Sequence, residues 1–573
     1  MKKWKVRDLA PEDYKKKFSH LHPIIAQLLY NRKIESQLEI DSFFNPEYEN
    51  LHDPFLFQDM DKAVKRIDKA IKSKEKILVH GDYDADGVTS SAVLYRALKL
   101  LGADVEVFIP HREDDGYGLN INNVNKFVVQ GIKLLITVDC GITNVAEVEE
   151  LKKQGIEVIV TDHHEPPKVL PEAYCILDPK VIGCDYPFRD LAGAGVAYKV
   201  VQALLAKSKY VKNDKFAIYG GTQGFAKWLL DIVAIGTVAD VSILTGENRI
   251  LVKWGLIVLA QTRWLGLKSL LEQIRPREID SFTIGFQIAP RLNAAGRLNH
   301  AVLAFDLLVT DDKQTAEKIA TELQANNTER QKIIEKALNE ARTQLDKEEK
   351  NNIILVYNEN WLPGIIGLIA GRLSDEFYRP TLAMTNSNGS IVGSGRSIEG
   401  FNIVESLRIL DKYFARYGGH AGACGFTLTE NEVREKFEKE YLKNFEQQLE
   451  KLDLTPVLPI DCEIHTSQIG FEMLEQIKQL APFGEGNERP LFLIKNLQIT
   501  SRDRIGQQNT HLGILAKQET PILFKFMWFS KAKEWFEKIK AGDIVDIVCE
   551  VGINEWNGNR EFEFKIQDLQ VNE

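Results

Sequence analysis

Residues 76–90 read KILVHGDYDADGVTS. Ile77, Leu78 and Val79 are a short apolar run of the kind a buried strand shows, and from Ala92 onward AVLYRALKLL has helical spacing. Between them His80, Asp82, Asp84 and Asp86 alternate along a turn, and Gly87 releases the chain into the helix. Four groups able to bind a hard cation, packed this closely, repel one another unless cations neutralise them. A helix cap needs one aspartate, which leaves the other three unexplained. The stretch therefore predicts a metal centre at a strand-to-helix turn.

Working outward, the pattern repeats: KILVHGD, a helix, ADVEVFIP, a helix, KLLITVDCG, a helix over VAEVEELKKQG, then IEVIVTDHHEPP. Strands bounded by helices of this length predict an α/β fold with a doubly wound, mostly parallel sheet. Ligands of such sheets gather beyond the carboxyl ends of the strands. Polar residues fall at those ends: His80 to Asp86, Asp139, then Asp162, His163 and His164. A helical stretch, WLLDIVAIGTVAD, delivers Asp240 at its end. Hydrophobic periodicity alone requires none of these carboxylates or imidazoles.

At 573 residues the chain is too long for one domain. Residues 1–70 read as a helical lead-in and 71–310 as the α/β domain. Residues 311–348 read as a long connecting helix with a solvated face. Residues 349–452 read as a smaller α/β domain, in which Asn388-Gly389 predicts a hairpin tip and YGGHAGACGFTL centres on His420. Arg291 and Arg297 flank what reads as a small-residue turn in APRLNAAGRL. Residues 453–573 are rich in short strands with one intervening helix, SKAKEWFEKIKAG, which fits a small closed barrel of the OB type. Phe524, Phe526, Trp528 and Trp556, with Lys525 and Arg560 nearby, are candidates for stacking bases, although alternating aromatics in strands are usually core.

Composition bounds the function. The net charge of −10 argues against a protein coated in basic residues but leaves room for a local basic groove. No apolar run approaches a membrane span, and MKKWKVRDLAPEDY lacks an apolar signal segment. Six scattered cysteines without a C-x-x-C pair point to a reducing cytoplasm and away from structural zinc. A donor set of carboxylates and imidazoles without thiolates suits Mn²⁺ or Mg²⁺, and the histidines tilt it toward Mn²⁺. There are donors for two ions, which points to two-metal hydrolysis of a phosphate ester. Ser90 and Ser91 have no evident base, and there is no G-x-S-x-G elbow.

HGDYDADGVTS, TVDCG, TDHHEPP and GTVAD, in that order, resemble the four motifs of the DHH phosphoesterase superfamily, and GSGRS with YGGHAGACGF resembles its DHHA1 domain. The DYDADG form, with RLNAAGRL, APFGEGN and the OB-like segment, is similar to the superfamily's single-strand-specific 5′→3′ exonucleases of DNA repair and recombination. The resemblance implies that His80, Asp84 and Asp139 hold one metal, and that Asp86, Asp139, His163 and Asp240 hold the other. It places Asp82, His164 and His420 among the catalytic groups, with His420 on the scissile phosphate. It assigns Arg112, Arg297, Ser394 and Arg396 to a 5′-phosphate pocket, where arginine suits a terminal phosphate better than lysine. It also implies single-stranded DNA as partner, a single-stranded-DNA-binding protein and a recombination helicase as associates, and a monomer. One rival is a smaller DHH–DHHA1 phosphodiesterase for short oligonucleotides or cyclic dinucleotides, which has no reason to carry a barrel. The other is a non-catalytic replication scaffold, which has no reason to keep every ligand.

Overall fold

The computed structural model describes residues 2–112, 115–298, 300–346, 351–556 and 559–572, without the side chains of Glu432 and Trp556. It divides into two compact units, Tyr48–Leu454 and the pair of segments Met1–Glu47 and Thr455–Glu573. Among the described residues, no helix is long and apolar enough to cross a membrane.

The larger unit opens on a five-stranded parallel sheet. In spatial order its strands are Asp104–Phe108, Lys76–His80, Ile132–Val138, Glu157–Thr161 and Cys175–Leu177. Alternate residues feed opposite layers, because successive strand side chains point to opposite faces. Ile77, Val79, Leu134, Ile136 and Ile159 join the core on one side; Leu78, Leu135, Val158 and Val160 join the other. The chain order along the sheet reverses between Lys76–His80 and Ile132–Val138, so their carboxyl ends flank the crevice where doubly wound sheets take ligands.

Helices Gly193–Lys207, Leu230–Ala239 and Gly246–Leu259 extend the first core. Residues 313–345 form one helix of 33 residues. Its apolar stripe serves two cores in turn: Ile319, Ala320 and Leu323 pack with the parallel-sheet domain, Ile334, Ala337 and Leu338 with the next. That next domain carries a mixed sheet ordered Phe414–His420, Ala423–Leu428, Ser390–Arg396, Thr381–Ser387 and Ile354–Tyr357. Asn388 (φ 50°) and Gly389 (φ 81°) turn its central hairpin, the pair of positive φ values that a two-residue hairpin turn demands.

In the smaller unit, strands Phe492–Ile505, His511–Lys517, Phe524–Trp528, Asn559–Val571 and Ile544–Trp556 close on themselves through pairing of the first with the last. The intervening helix is shorter than SKAKEWFEKIKAG suggested and covers only Ala532–Trp535. The stretch 1–70, read as one lead-in, is divided. Helix Met60–Ser73 packs in the parallel-sheet core, whereas strand Lys3–Val6 pairs with Val457–Ile460 and helix Pro23–Asn31 joins the barrel core. This has a consequence for truncation. Deleting 455–573 alone strips Ile25, Leu28 and Leu29, all fully buried, of their partners. Such a chain is expected to aggregate and bind apolar dyes, whereas residues 48–454 alone should stay soluble with native helicity; a soluble, dye-silent 1–454 fragment would contradict this.

Candidate metal centre

The turn after Lys76–His80 is held by its own aspartates. Asp84 caps helix Ala85–Leu101, its Oδ1 accepting from the amides of Asp86 (2.9 Å) and Gly87 (3.1 Å). The helix N-terminus favours negative charge at this point. Asp86 is buried and accepts from the Gly193 and Ala194 amides at 2.7 and 2.9 Å. Two glycines make room for the acidic cluster. A Cβ at Gly193 would lie 2.6 Å from the Asp139 Cβ, and one at Gly236 would lie 2.6 Å from Asp86 Oδ1. From the other side, Asn293 accepts from the Ala85 amide at 2.8 Å.

Asp139 follows the adjacent strand with φ 60°, a left-handed conformation that is costly for a residue with a side chain and is found where surroundings enforce it. Its Oδ1 lies 3.0 Å from His163 Nε2. His163 in turn has Asp86 Oδ2 at 3.9 Å and Asp240 Oδ2 at 4.0 Å. Three donor groups result, each with its donor atoms within 4.8 Å of one another: Asp82, Asp84 and Asp139; Asp86, His163 and Asp240; Asp139, His163 and His164. Asp139 belongs to two of them.

The electrostatics fit a cation site. Burial raises the pKa of Asp82, Asp86 and Asp139, and repulsion from neighbouring aspartates adds to it. Burial likewise raises Asp240 and lowers His163. His80 is fully buried and pushed down to about 4, so its ring is neutral; its Nε2 and Asp82 Oδ1 are both buried with no hydrogen-bond partner in the protein. Buried, mutually repelling carboxylates beside neutral imidazoles are what divalent cations offset.

Asp162 was passed over as a site residue on sequence. It accepts from the amides of Ile142 (2.9 Å), His163 (2.7 Å) and His164 (3.2 Å), and its Oδ1 lies 2.7 Å from His164 Nδ1. Burial raises its pKa, but these bonds outweigh burial and hold it below the usual carboxylate range. Burial lowers the His164 pKa, but the hydrogen bond and charge of Asp162 outweigh that and raise it to about 9. Tyr117 Oη stands 3.2 Å from the same ring. The signal for Asp162 was its place as first residue of the D-H-H triplet.

The remaining predicted residues are placed as follows. His80 lies outside the three tight donor groups, where Asp82 stands with Asp84 and Asp139. His420 is exposed at the end of its strand and accepts from the Gly422 amide at 3.2 Å. Arg396 bonds Ser394 Oγ (3.3 Å) and the Gly395 carbonyl (2.8 Å), and Arg297 bonds the Gly364 carbonyl (2.8 Å). Arg112 stacks over Tyr83 at 4.2 Å. APRLNAAGRL is no turn: residues 289–298 are helical, and Gly296 is small because a Cβ there would lie 2.7 Å from the Tyr83 carbonyl.

In the barrel, Phe524, Phe526 and Trp528 are core residues and cannot stack bases. Lys525, between them, faces solvent. Arg560 is neutralised by Glu475 and by Glu555 (3.0 Å). The Trp556 side chain lies outside the described residues.

Family models match three stretches: DHH family, N-terminal domain, over residues 76–237; DHHA1 domain over 349–451; RecJ OB domain over 460–568. With the doubly wound sheet and its carboxylate–imidazole cluster, these define a DHH–DHHA1 phosphoesterase. The single-stranded-DNA-specific exonuclease RecJ of Bacillus subtilis is 37% identical over 97% of this chain and 69% of its own length. That of Haemophilus influenzae is 32% identical over 96% of both. The crystal structure of RecJ from Thermus thermophilus in complex with Mn²⁺ superposes with a TM-score of 0.82 at 29% identity, covering 100% of this chain and 80% of that one. The chain belongs to the RecJ family.

Proposed function

We propose that this protein hydrolyses single-stranded DNA from its 5′ end, using two divalent cations, with Mn²⁺ preferred and Mg²⁺ able to substitute. The carrying observation is the convergence of three donor groups, each with two buried members, on Asp139 and His163 at the switch point of the sheet. The relatives named above are single-stranded-DNA-specific exonucleases, one of them crystallised with Mn²⁺.

His80, Asp82, Asp84, Asp86, Asp139, His163 and Asp240 would hold the cations. When bound, these activate water and neutralise charge on the attacking and leaving oxygens. The chain's own groups do the rest. The Gly193 and Ala194 amides orient Asp86. Asp162 fixes the His164 ring through the 2.7 Å contact with Nδ1 and favours its charged form, which would offer an N–H to a phosphate oxygen beside the cluster. His420 is assigned to the same phosphate from the smaller sheet. Arg112, Ser394 and Arg396, with Arg297, take the 5′-terminal phosphate and so set the direction of attack.

A cytoplasmic protein fits six cysteines that are all free thiols. Action as a monomer, with a single-stranded-DNA-binding protein and a recombination helicase as associates, completes the reading by family resemblance.

The test is digestion of end-labelled single and double strands, with and without a 5′-phosphate, in Mn²⁺, Mg²⁺ or chelator. Release of nucleotides from the 5′ end of single strands alone, abolished by chelation, is expected. Arg396→Ala should cost about 1.5–3 kcal/mol of charge-assisted hydrogen bonding on 5′-phosphorylated ends. Equal losses on phosphorylated and unphosphorylated ends would place the pocket elsewhere.

A further inference from the structure

Tyr83 stands between Asp82 and Asp84, which form a donor group with Asp139. Its backbone is pinned there, since Asp84 caps the helix that follows and Asn293 Oδ1 accepts from the Ala85 amide at 2.8 Å. Neither the ring nor the carbonyl of Tyr83 belongs to a donor group, yet both touch residues assigned to the strand's 5′ end or their neighbours. The Arg112 guanidinium lies over the ring, 4.2 Å from its centroid. The carbonyl faces Gly296, where a Cβ would lie only 2.7 Å away, so the helix carrying Arg297 rests directly on the turn.

From Arg297 the contacts run on into the smaller α/β domain. Arg297 Nη1 donates to the Gly364 carbonyl at 2.8 Å, in the first turn of helix Pro363–Phe377. One turn later, a Cβ at Gly367 would lie 3.1 Å from Ser394 Oγ and 3.4 Å from Arg396 Nη2. Arg112, Arg297, Ser394 and Arg396 are thus joined by continuous contacts, which meet the metal turn at Tyr83 and Ala85. Arg112 and Arg297 each bury an Nε that has no hydrogen-bond partner among the described residues. A buried guanidinium nitrogen without an acceptor is unfavourable until one arrives. An aromatic face suits such a group, because it attracts the cation without occupying its N–H donors.

We propose that Tyr83 is a positioning residue for the 5′ end of the strand: its ring holds Arg112 and its carbonyl seats the helix of Arg297, which fixes the terminal phosphate at a set distance from the metal turn. The identity of the anion rests on the exonuclease reading, whereas the contacts stand without it. A strand seated by its phosphate then presents its first phosphodiester to the turn already aligned. A strand lacking that phosphate has to find the alignment unaided.

Single strands with 5′-monophosphate and 5′-hydroxyl ends test this, read as the ratio of their kcat/KM values in the unaltered protein, Tyr83→Phe and Tyr83→Leu. Tyr83→Phe keeps ring and carbonyl, and its ratio is expected within about twofold of the parent's. Tyr83→Leu removes the aromatic face and should lower the ratio at least about fivefold, through loss of a partly desolvated cation–π contact. A general loss of packing would slow both ends alike and leave the ratio where it was. A ratio unchanged in Tyr83→Leu overturns the inference. So does a Tyr83→Phe ratio as low as that of Tyr83→Leu, which would assign the effect to the hydroxyl. Arg112→Lys keeps the charge and gives up the flat group on the ring. It should show the same fall even if Tyr83→Leu does not fold, and an undiminished ratio there also overturns the inference. Calorimetry in chelator, with inorganic phosphate as probe, needs no degradation of strands. Phosphate should bind the unaltered protein and Tyr83→Phe alike, and Tyr83→Leu at least about fivefold more weakly. Equal binding by all three counts against Tyr83 whether or not strands are cut. The expected binding pattern in a protein that degrades no single strand would sink the exonuclease reading and leave the role of Tyr83 standing.

Discussion

Asp139→Ala is expected to reduce hydrolysis of a 5′-phosphorylated single strand by at least about 10³-fold, or some 4 kcal/mol of transition-state stabilisation. Asp139 stands in two of the three donor groups and contacts His163 at 3.0 Å. Its removal therefore weakens both cation positions at once, where loss of Asp240 touches one. Strand affinity should largely survive, since the phosphate-binding arginines are untouched, and Mn²⁺ binding measured by calorimetry should fall with the rate. Asp139→Asn separates charge from shape: it keeps the side chain's size and removes the anion. Turnover by either variant within tenfold of the parent would defeat the assignment of Asp139 as the shared ligand.

The largest stability effect is expected at a site remote from this chemistry. Lys199 Nζ and Glu247 Oε1 form a fully buried ion pair at 2.5 Å. Glu247 also accepts from the His52 amide (2.9 Å) and Tyr186 Oη (2.5 Å), and Lys199 donates to the His52 carbonyl (2.8 Å). Burial pushes the Lys199 pKa down, and the glutamate opposes that shift. Lys199→Ala leaves a carboxylate buried without its cation, which costs about 3–5 kcal/mol. Lys199→Met with Glu247→Leu removes both charges and should recover much of that loss. Urea unfolding of the three proteins measures it; a single variant within about 1 kcal/mol of the parent would mean that the pair is not closed in solution.

Much of the candidate metal centre was legible because clustered donors for a cation concentrate their demands. Carboxylates and imidazoles placed after three strands and one helix have no role in packing, so His80 to Asp86, Asp139, His163 and Asp240 stood out against an apolar background. The Asn388-Gly389 turn was equally plain, since few dipeptides tolerate positive φ twice. What escaped had a physical reason in each case. Lys3–Val6 finds its partner more than 400 residues away, and KWKV carries no sign of that pairing. In the barrel, period-two alternation separates two faces without saying which is wet, and Phe524, Phe526 and Trp528 turned inward. The small residues of APRLNAAGRL looked like a turn because close helix packing and a turn both call for glycine and alanine. Asp162 went unassigned because its task is to hold a histidine rather than to face a substrate.

The donor groups of the metal centre come from residues 82 to 240, and the candidate phosphate pocket runs on to Arg396. A ribosome making this chain therefore emits Asp82, Asp84 and Asp139 well before Asp240, and Arg396 of the candidate phosphate pocket later still. At no earlier moment does the growing polypeptide hold a complete cutting centre. A fragment abandoned before Asp240 lacks a member of the Asp86, His163 and Asp240 donor group. Scattering the parts along the chain makes destructive chemistry conditional on synthesis past the last of them.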